Sequence, residues 1–195
     1  RGVEDVLVSA SAAAPGATAT CRRRGLTAVS GSFLLLGSGV GFVAGPVAPD
    51  DVGESERIRE LEAQDMWLYS SETLAAVDSS PLVLARSLDR TARDLDLHLT
   101  AAQLTLPEAS LKSVRMLRYD DALITQIAWN HHSYGPMALC ISREESAHQS
   151  ELAHEKRHGM NLVWWHHSGY QYVLIGRNPA GQLKRAAQAL RTALV

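Results

Sequence analysis

A long uncharged run near the N-terminus is the feature that most constrains this chain. The run extends from Gly25 to Pro49, and its 25 residues include no Asp, Glu, Lys, Arg or His. An apolar helix of about 20 residues is long enough to cross the hydrocarbon core of a bilayer. The run is also rich in glycine, which membrane helices contain more often than soluble helices do. The sequence therefore predicts one membrane-spanning helix in this segment.

The charges that flank the run predict how the helix is oriented. Two acidic residues, Asp50 and Asp51, follow it directly. The basic residues immediately before it are Arg22, Arg23 and Arg24. Because basic residues favour the cytoplasmic side of a membrane, the N-terminus is expected in the cytoplasm. The expected organisation, in a bacterial inner membrane, has three parts: residues 1–24 as a short cytoplasmic arm, residues 25–49 as the transmembrane helix and residues 50–195 as a periplasmic domain.

Three glycines of the run recur at every fourth position. They are Gly37, Gly41 and Gly45. On a helix this spacing makes a smooth stripe, where the backbone of another transmembrane helix can approach closely. The alternative is that glycine is simply common in membrane helices. The stripe favours a partner in the bilayer, either an integral membrane protein complex or another transmembrane helix.

A cleaved signal peptide is the competing interpretation of the same run. Its cleavage point would be Val43-Ala44-Gly45. Signal peptides place their charged residues near the start and have an apolar region of about 7–15 residues. Here 21 residues precede the arginines, and the uncharged run is 25 residues long. These lengths favour a helix that stays in the membrane.

Composition limits the classes of function that remain. A net charge of −2 gives no general electrostatic attraction to nucleic acid, so no direct nucleic-acid binding is expected. The two cysteines, Cys21 and Cys140, would lie on opposite sides of the membrane and are not expected to form a disulfide. Cys140 stands in an apolar stretch and is expected to be a small buried residue.

The predicted outer domain begins with helices, continues with strands and ends with a helix. Residues Asp51 to about Val77 are dense in helix formers, and Ser80-Pro81 is typical of the start of a second helix. Stretches with strand character follow at residues 114–119, 123–129, 136–142, 161–166 and 170–175. The polar segment Arg143–Gly159 is predicted to be a surface excursion, and Asn178-Pro179 to open the last helix. This order predicts an α+β domain with an antiparallel sheet and flanking helices.

Eight histidines raise the question of a metal site. His154 and His158 are four residues apart, a spacing that suits metal ligands on one helix face. His166 and His167 are neighbours on a predicted strand, so they would point to opposite faces. No phosphate-binding loop, nucleophile elbow or haem attachment motif is present. We therefore expect solvated surface histidines, and a protein without enzymatic activity, cofactor or bound metal.

The densest aromatic cluster lies in the last two predicted strands. Its members are Trp164, Trp165, Tyr170 and Tyr172. Side chains alternate between the two faces of a strand, so half of them are expected in the core and half outside. Core packing is the simpler interpretation. The outward-facing members, together with Trp67, are candidate partner-binding residues, because Trp and Tyr dominate the energetics of protein interfaces.

Several stretches of the outer domain together carry a resemblance to a known family. They are Met66–Tyr69, the helical residues 82–99, Gly159–Trp165, Ser168–Gly176 and a helix with Leu183, Ala187 and Leu190. In layout they resemble the extracytoplasmic domain of transmembrane anti-sigma factors, bacterial regulators that hold a sigma factor at the membrane. The resemblance covers about residues 60–194 and implies a periplasmic domain without catalytic residues.

The resemblance does not extend to the sigma-binding part of that family. That part stands before the membrane helix and often carries a His-x3-Cys-x2-Cys zinc motif, whereas residues 1–24 contain one cysteine and no histidine. The sequence therefore favours an accessory, structural subunit of a membrane protein complex, with energy-transducing complexes among the candidates. The alternative is an anti-sigma-like regulator of transcription, with a sigma factor as its partner.

Overall fold

Four helices and six strands make up the part of the chain that the structure, a computed structural model, describes: residues 49–145 and 148–194. The helices are α1 (Pro49–Trp67), α2 (Ser71–Ala75), α3 (Pro81–Leu95) and α4 (Ala180–Leu194). The strands are β1 (Ala109–Tyr119), β2 (Ala122–His131), β3 (Gly135–Arg143), β4 (Ala153–Arg157), β5 (Met160–His167) and β6 (Tyr170–Gly176).

The predictions for the N-terminal part fall on residues outside the described ranges. These predictions are the cytoplasmic arm, the transmembrane helix up to residue 48, the arginines Arg22, Arg23 and Arg24, and the glycines Gly37, Gly41 and Gly45. Within residues 49–145 and 148–194, no helix combines the length and the apolar character needed to span a membrane.

The six strands form one antiparallel sheet in the order β1-β2-β3-β6-β5-β4. Ser168 and Gly169 make the two-residue connection between β5 and β6, with φ of 50° and 78°. Two consecutive residues with positive φ are typical of the type I′ turn, whose twist matches that of the paired strands. The predicted α+β domain, with an antiparallel sheet and flanking helices, is confirmed.

Helices cover the sheet on both of its faces. One face packs against α3 and α4, through residues such as Leu88 and Leu183. The other face packs against α1 and α2, through residues such as Met66 and Leu74. The central strands β3 and β6 are therefore buried on both sides, which explains why their sequences are almost continuously apolar.

The segment Arg143–Gly159 is not the plain surface excursion predicted from the sequence, because it contains the edge strand β4. This strand pairs with β5 through the two-residue turn His158-Gly159, where φ is 49° and 77°. The polar character of this strand is explained by its contacts with α1, because Arg157 forms ion pairs with Glu56 and Glu60 of that helix. An edge strand that pairs its charges with a helix does not show the apolar pattern of a core strand.

The first helix is also shorter than the predicted one. It ends at Trp67, and the separate helix α2 begins at Ser71. Ser70 caps the start of α2, because its side chain accepts a hydrogen bond from the amide of Thr73 and the Thr73 side chain accepts one from the amide of Ser70. The predicted helix start at Ser80-Pro81 is confirmed, with Pro81 in the first turn of α3.

The indole of Trp129 offers a test of the core beneath α3 and α4. The residue is fully buried, and its Nε1 donates a hydrogen bond to the carbonyl of Leu104 at 2.9 Å. Trp129→Phe removes this bond and leaves a small cavity, so it is expected to lower the free energy of unfolding by about 2–3 kcal/mol. The matched change Trp67→Phe affects an exposed residue and should stay within about 0.5 kcal/mol. Urea unfolding of the full chain in detergent, followed by circular dichroism, measures both; equal effects would contradict this description of the core.

Candidate functional site

Arg59 holds α1 against the sheet. Its buried guanidinium donates hydrogen bonds to Glu155, from Nε to Oε1 at 2.9 Å, and to Gln171, from Nη1 to Oε1 at 3.1 Å. It also lies over the ring of Trp164, with its central carbon 4.3 Å from the ring centroid. This arginine is buried with an ionic partner, a polar partner and an aromatic face, which is the arrangement in which a buried charge is tolerated.

Glu62 lies on the same helix, fully buried and without a hydrogen-bond partner among the described residues for either carboxylate oxygen. Burial raises the pKa of Glu62 well above its usual range, and the positive charge of Arg59 offsets this only in part. Sequence reasoning missed this residue although a signal exists. Ile58, Glu62 and Met66 follow each other at intervals of four, which places the carboxyl group on the apolar stripe of α1.

Asp65 completes the polar layer beneath α1, and it is fully paired. Its Oδ2 accepts hydrogen bonds from Arg115 at 2.7 Å and from Gln126 at 2.9 Å. Arg115 also donates to Gln126 at 2.7 Å and lies over the ring of Tyr69, 5.0 Å from its centroid. Cys140 is buried in the same region; burial first, and then the nearby Glu62, raises the pKa of its thiol, so the reactive thiolate is suppressed.

The aromatic residues singled out from the sequence occupy different environments. Trp165 and Tyr172 are buried in the core under α3 and α4, where their rings stack with centroids 5.0 Å apart. Trp164 faces α1 and is half-buried beneath Arg59. Tyr170 is half-buried and donates a hydrogen bond to the carbonyl of Leu95 at 2.7 Å. Trp67 differs from these four, because 59% of it is exposed.

Trp67 is one of four large apolar residues that are exposed in the part of the chain from α1 to α3. We call Trp67, Leu68, Val77 and Leu82 the apolar surface. Leu68 and Leu82 are 72% and 70% exposed. Val77 also lines a groove of about 370 Å³, together with Tyr69 and Val83. Several large exposed apolar side chains in one stretch of the chain are candidates for partner binding, whereas a single exposed leucine means little.

One group of possible metal ligands lies just after the end of β3 and near the end of β5, the two strands that flank β6. Glu144, His148 and His166 each place a ligand atom within 4.8 Å of the others. Oε1 of Glu144 accepts a hydrogen bond from Ser55 of α1 at 3.1 Å, and its Oε2 lies 2.9 Å from Nε2 of His166. Burial by itself raises the pKa of Glu144, but the contacts with His166 and Ser55 outweigh it, and the pKa of Glu144 lies below its usual value. At neutral pH this carboxyl group is therefore ionised.

A second group, at the far end of β2, consists of Glu108, His131 and His132. The two imidazole rings stack with centroids 5.1 Å apart, and Nε2 of His131 lies 3.8 Å from the Glu108 carboxylate. Burial, and after it the neighbouring His132, lowers the pKa of His131, which keeps this ring neutral at pH 7. Glu108 and His132 are exposed, so water already solvates two of the three groups.

The stretch His154–His158 reads His-Glu-x-x-His, a zinc-binding pattern that sequence reasoning passed over. That pattern needs a helix, on which both histidines share a face, and here it lies on β4 and the following turn. His154 contacts Asn161 at 3.0 Å, whereas His158 contacts Glu60 at 2.6 Å. The glutamate between them, Glu155, is held by Arg59 and Arg157. The expectation that the two histidines share a helix face is therefore wrong.

The arrangement of Ser55, Glu144 and His166 superficially resembles a catalytic triad, but its order differs. In a triad the histidine stands between the hydroxyl and the carboxylate and accepts the hydroxyl proton. Here the carboxylate stands in the middle, and the Ser55 hydroxyl donates to it. Among the described residues no hydrogen bond joins Ser55 to His166, so no base is placed to activate the hydroxyl.

Comparisons with known proteins give no family for this chain. No protein-family model matches it, and no curated protein matches it. A solved structure, that of a GTP binding regulator from Thermotoga maritima, is similar over 48% of this chain and 82% of its own, with a TM-score of 0.35 and 14% identity. A similarity at this level carries no argument about function.

The buried Glu62 predicts a distinct dependence of stability on pH. Its pKa in the folded state is raised above the usual 4.5, so the folded protein keeps a proton that the unfolded chain releases. Its contribution to stability is complete below about pH 4.5 and is lost as the pH rises towards the folded-state pKa, by about 1.4 kcal/mol per pH unit. Glu62→Gln cannot ionise, and its stability should fall less than that of the wild type as the pH rises above about 5.

Thermal unfolding of the full chain in detergent at a series of pH values measures the two profiles. The exposed Glu54 lies on the same helix, so Glu54→Gln is the matched control and should reproduce the wild-type profile. Parallel profiles for wild type and Glu62→Gln would contradict a proton held by Glu62 in the folded state.

Proposed function

We propose that this chain is a non-enzymatic, single-pass membrane protein that serves as an accessory subunit of a membrane-embedded protein complex. The observation that carries the proposal is the apolar surface of Trp67, Leu68, Val77 and Leu82. Trp and Leu side chains left in water on a folded domain gain free energy when a partner covers them, and Trp is prominent among the residues that dominate interface energetics.

The position of α1 supports a partner that is itself in the membrane. The helix begins at Pro49, the last residue of the predicted transmembrane segment. Trp67 is the last residue of α1. At 1.5 Å per residue it stands about 27 Å along the helix from Pro49. Trp67 and Leu68 thus follow the predicted membrane segment closely in the sequence, which favours a partner that is itself a membrane protein with an outer portion.

The polar layer beneath α1 supports the same proposal. The ion pairs and hydrogen bonds of Arg59 and Arg157 connect α1 with β4 and β6. These contacts fix α1, whose last residue is Trp67, against the sheet. We infer that Trp67 is thereby presented to a partner in a fixed position.

A double substitution on the apolar surface tests the docking role. Trp67→Asp with Leu82→Asp places two charges where the partner is expected, and recovery of the complex in mild detergent should fall at least tenfold, since each buried Trp or Leu contributes about 2 kcal/mol at an interface. The control Gln188→Asp adds a charge to an exposed position of α4 and should leave recovery unchanged. Both variants should keep the wild-type unfolding temperature within about 2 °C.

Stoichiometric recovery with a large membrane complex supports the accessory-subunit role. Recovery with a sigma factor would contradict it and support the anti-sigma-like regulator to which the outer domain has a resemblance. Recovery of the complex that is unaffected by the double substitution would exclude the apolar surface as the docking site.

The glycine stripe in the predicted membrane helix gives a separate test. Gly41→Leu puts a large side chain in the middle of the stripe and should abolish packing with a partner helix while the chain stays in the membrane fraction. Gly39→Leu is matched in size and lies two residues away, on the other side of a helix. Cross-linking between the chain and its partner in intact membranes measures the difference; equal loss in both variants would contradict a packing face at Gly37, Gly41 and Gly45.

A further inference from the structure

We propose that Glu144, His148 and His166 form a binding site for a divalent transition-metal ion of the zinc type, with three protein ligands and a fourth position open to the neighbouring cavity. The site is independent of the proposed docking role, because none of its ligands belongs to the apolar surface. It also departs from the expectation drawn from the sequence, which assigned no metal to any histidine.

The geometry of the three side chains suits one ion. Their ligand atoms lie within 4.8 Å of one another, and the ring centroids of His148 and His166 are 4.3 Å apart. Zinc binds histidine nitrogen and carboxylate oxygen at about 2.0–2.2 Å, so the ligand atoms of a tetrahedral site stand about 3.4 Å apart. Glu144 and His166 are slightly closer than this, at 2.9 Å. Small side-chain rotations are enough to seat an ion.

Burial distinguishes this group from an ordinary surface cluster. The side chain of His166 is 6% exposed and that of Glu144 is 11% exposed. Oε2 of Glu144 and Nε2 of His166 face each other at 2.9 Å, and Nδ1 of His166 has no hydrogen-bond partner among the described residues. A buried carboxylate and a buried imidazole that face each other in this way are both available to ligate one cation between them.

The residue types select the kind of ion. Two imidazoles and one carboxylate suit zinc and neighbouring transition metals, whereas calcium and magnesium prefer oxygen ligands alone. A cavity of about 380 Å³ adjoins the site, and its lining includes Glu144, Ser55 and Gln171. The cavity leaves room for water or a small ligand at the fourth position, as in metal sites that exchange a ligand.

The hydrogen bond from Ser55 connects the site with α1. Ser55 donates to Oε1 of Glu144, which orients the carboxylate and leaves Oε2 directed at His166. Partners of this kind fix the orientation of a ligand, and their loss typically weakens metal binding by about 10–100-fold. Occupation of the site would in turn strengthen the contact of α1 with the ends of β3 and β5.

The test uses the full chain, purified in detergent with an affinity tag that contains no histidine. Cys21→Ser serves as the background, because Cys21 is the one cysteine outside the described residues. Titration with Zn²⁺ in competition with a chelator of known affinity gives the stoichiometry and the dissociation constant. We expect one equivalent of zinc, an increase in the unfolding temperature on binding, and, with Co²⁺, the visible absorption of a four-coordinate ion.

Three variants locate the ion. Removing a group that only orients a ligand weakens metal binding by about 10–100-fold, so removing a ligand itself should reach the upper end of that range. His148→Ala removes a half-buried ligand and should therefore weaken zinc binding by about 100-fold. Ser55→Ala should weaken it by about tenfold. His132→Ala removes a histidine from the exposed group at the end of β2 and should leave affinity unchanged. If His148→Ala does not fold, His148→Gln tests the same ligand with a side chain of similar size.

Several outcomes would overturn the proposal. One is the absence of saturable zinc binding at one equivalent. Another is a dissociation constant that His148→Ala and His148→Gln leave unchanged. A third is a loss of binding in His132→Ala with wild-type affinity in His148→Ala, which would place the ion in the other histidine group.

Discussion

The burial of the central strands on both faces is the constraint on which the rest of this domain depends. Strand β3 is buried from Pro136 to Ser142, and β6 from Gln171 to Gly176. A sheet of this kind needs a cover on each side, and α1 is the main cover of one face. The helix that begins at the end of the uncharged run is therefore part of the core of this domain.

The same helix carries charged residues into the covered face, where their energetic roles differ. Arg59 is satisfied by Glu155, Gln171 and the ring of Trp164. Glu62 lies one turn further along without a partner among the described residues. A buried and unpaired carboxyl group destabilises the fold unless it keeps a proton. The polar layer beneath α1 thus combines one well-anchored contact with one that is sensitive to pH.

The candidate binding groups lie away from the two faces of the sheet, which the helices occupy. The four residues of the apolar surface lie in the stretch from the end of α1 to the start of α3. The group of Glu144, His148 and His166 lies where β3 and β5 end on either side of β6. Sequence reasoning treated the aromatic residues of β5 and β6 as the candidate contacts, but Trp165 and Tyr172 fill the core. Trp67, the one aromatic candidate that lies outside β5 and β6, is the exposed one.

The sequence by itself determined the α+β class of this domain and the helix start at Ser80-Pro81, because periodicity and the fixed φ of proline are properties of neighbouring residues. It also determined the uncharged run. Only the tertiary structure revealed strand β4, whose polar residues are explained by ion pairs with α1. Only the sheet order brought Glu144 next to His166, 22 residues later in the chain, because β6 pairs with both β3 and β5. Contacts between distant residues are set by which strands pair, and no local pattern in the sequence records that choice.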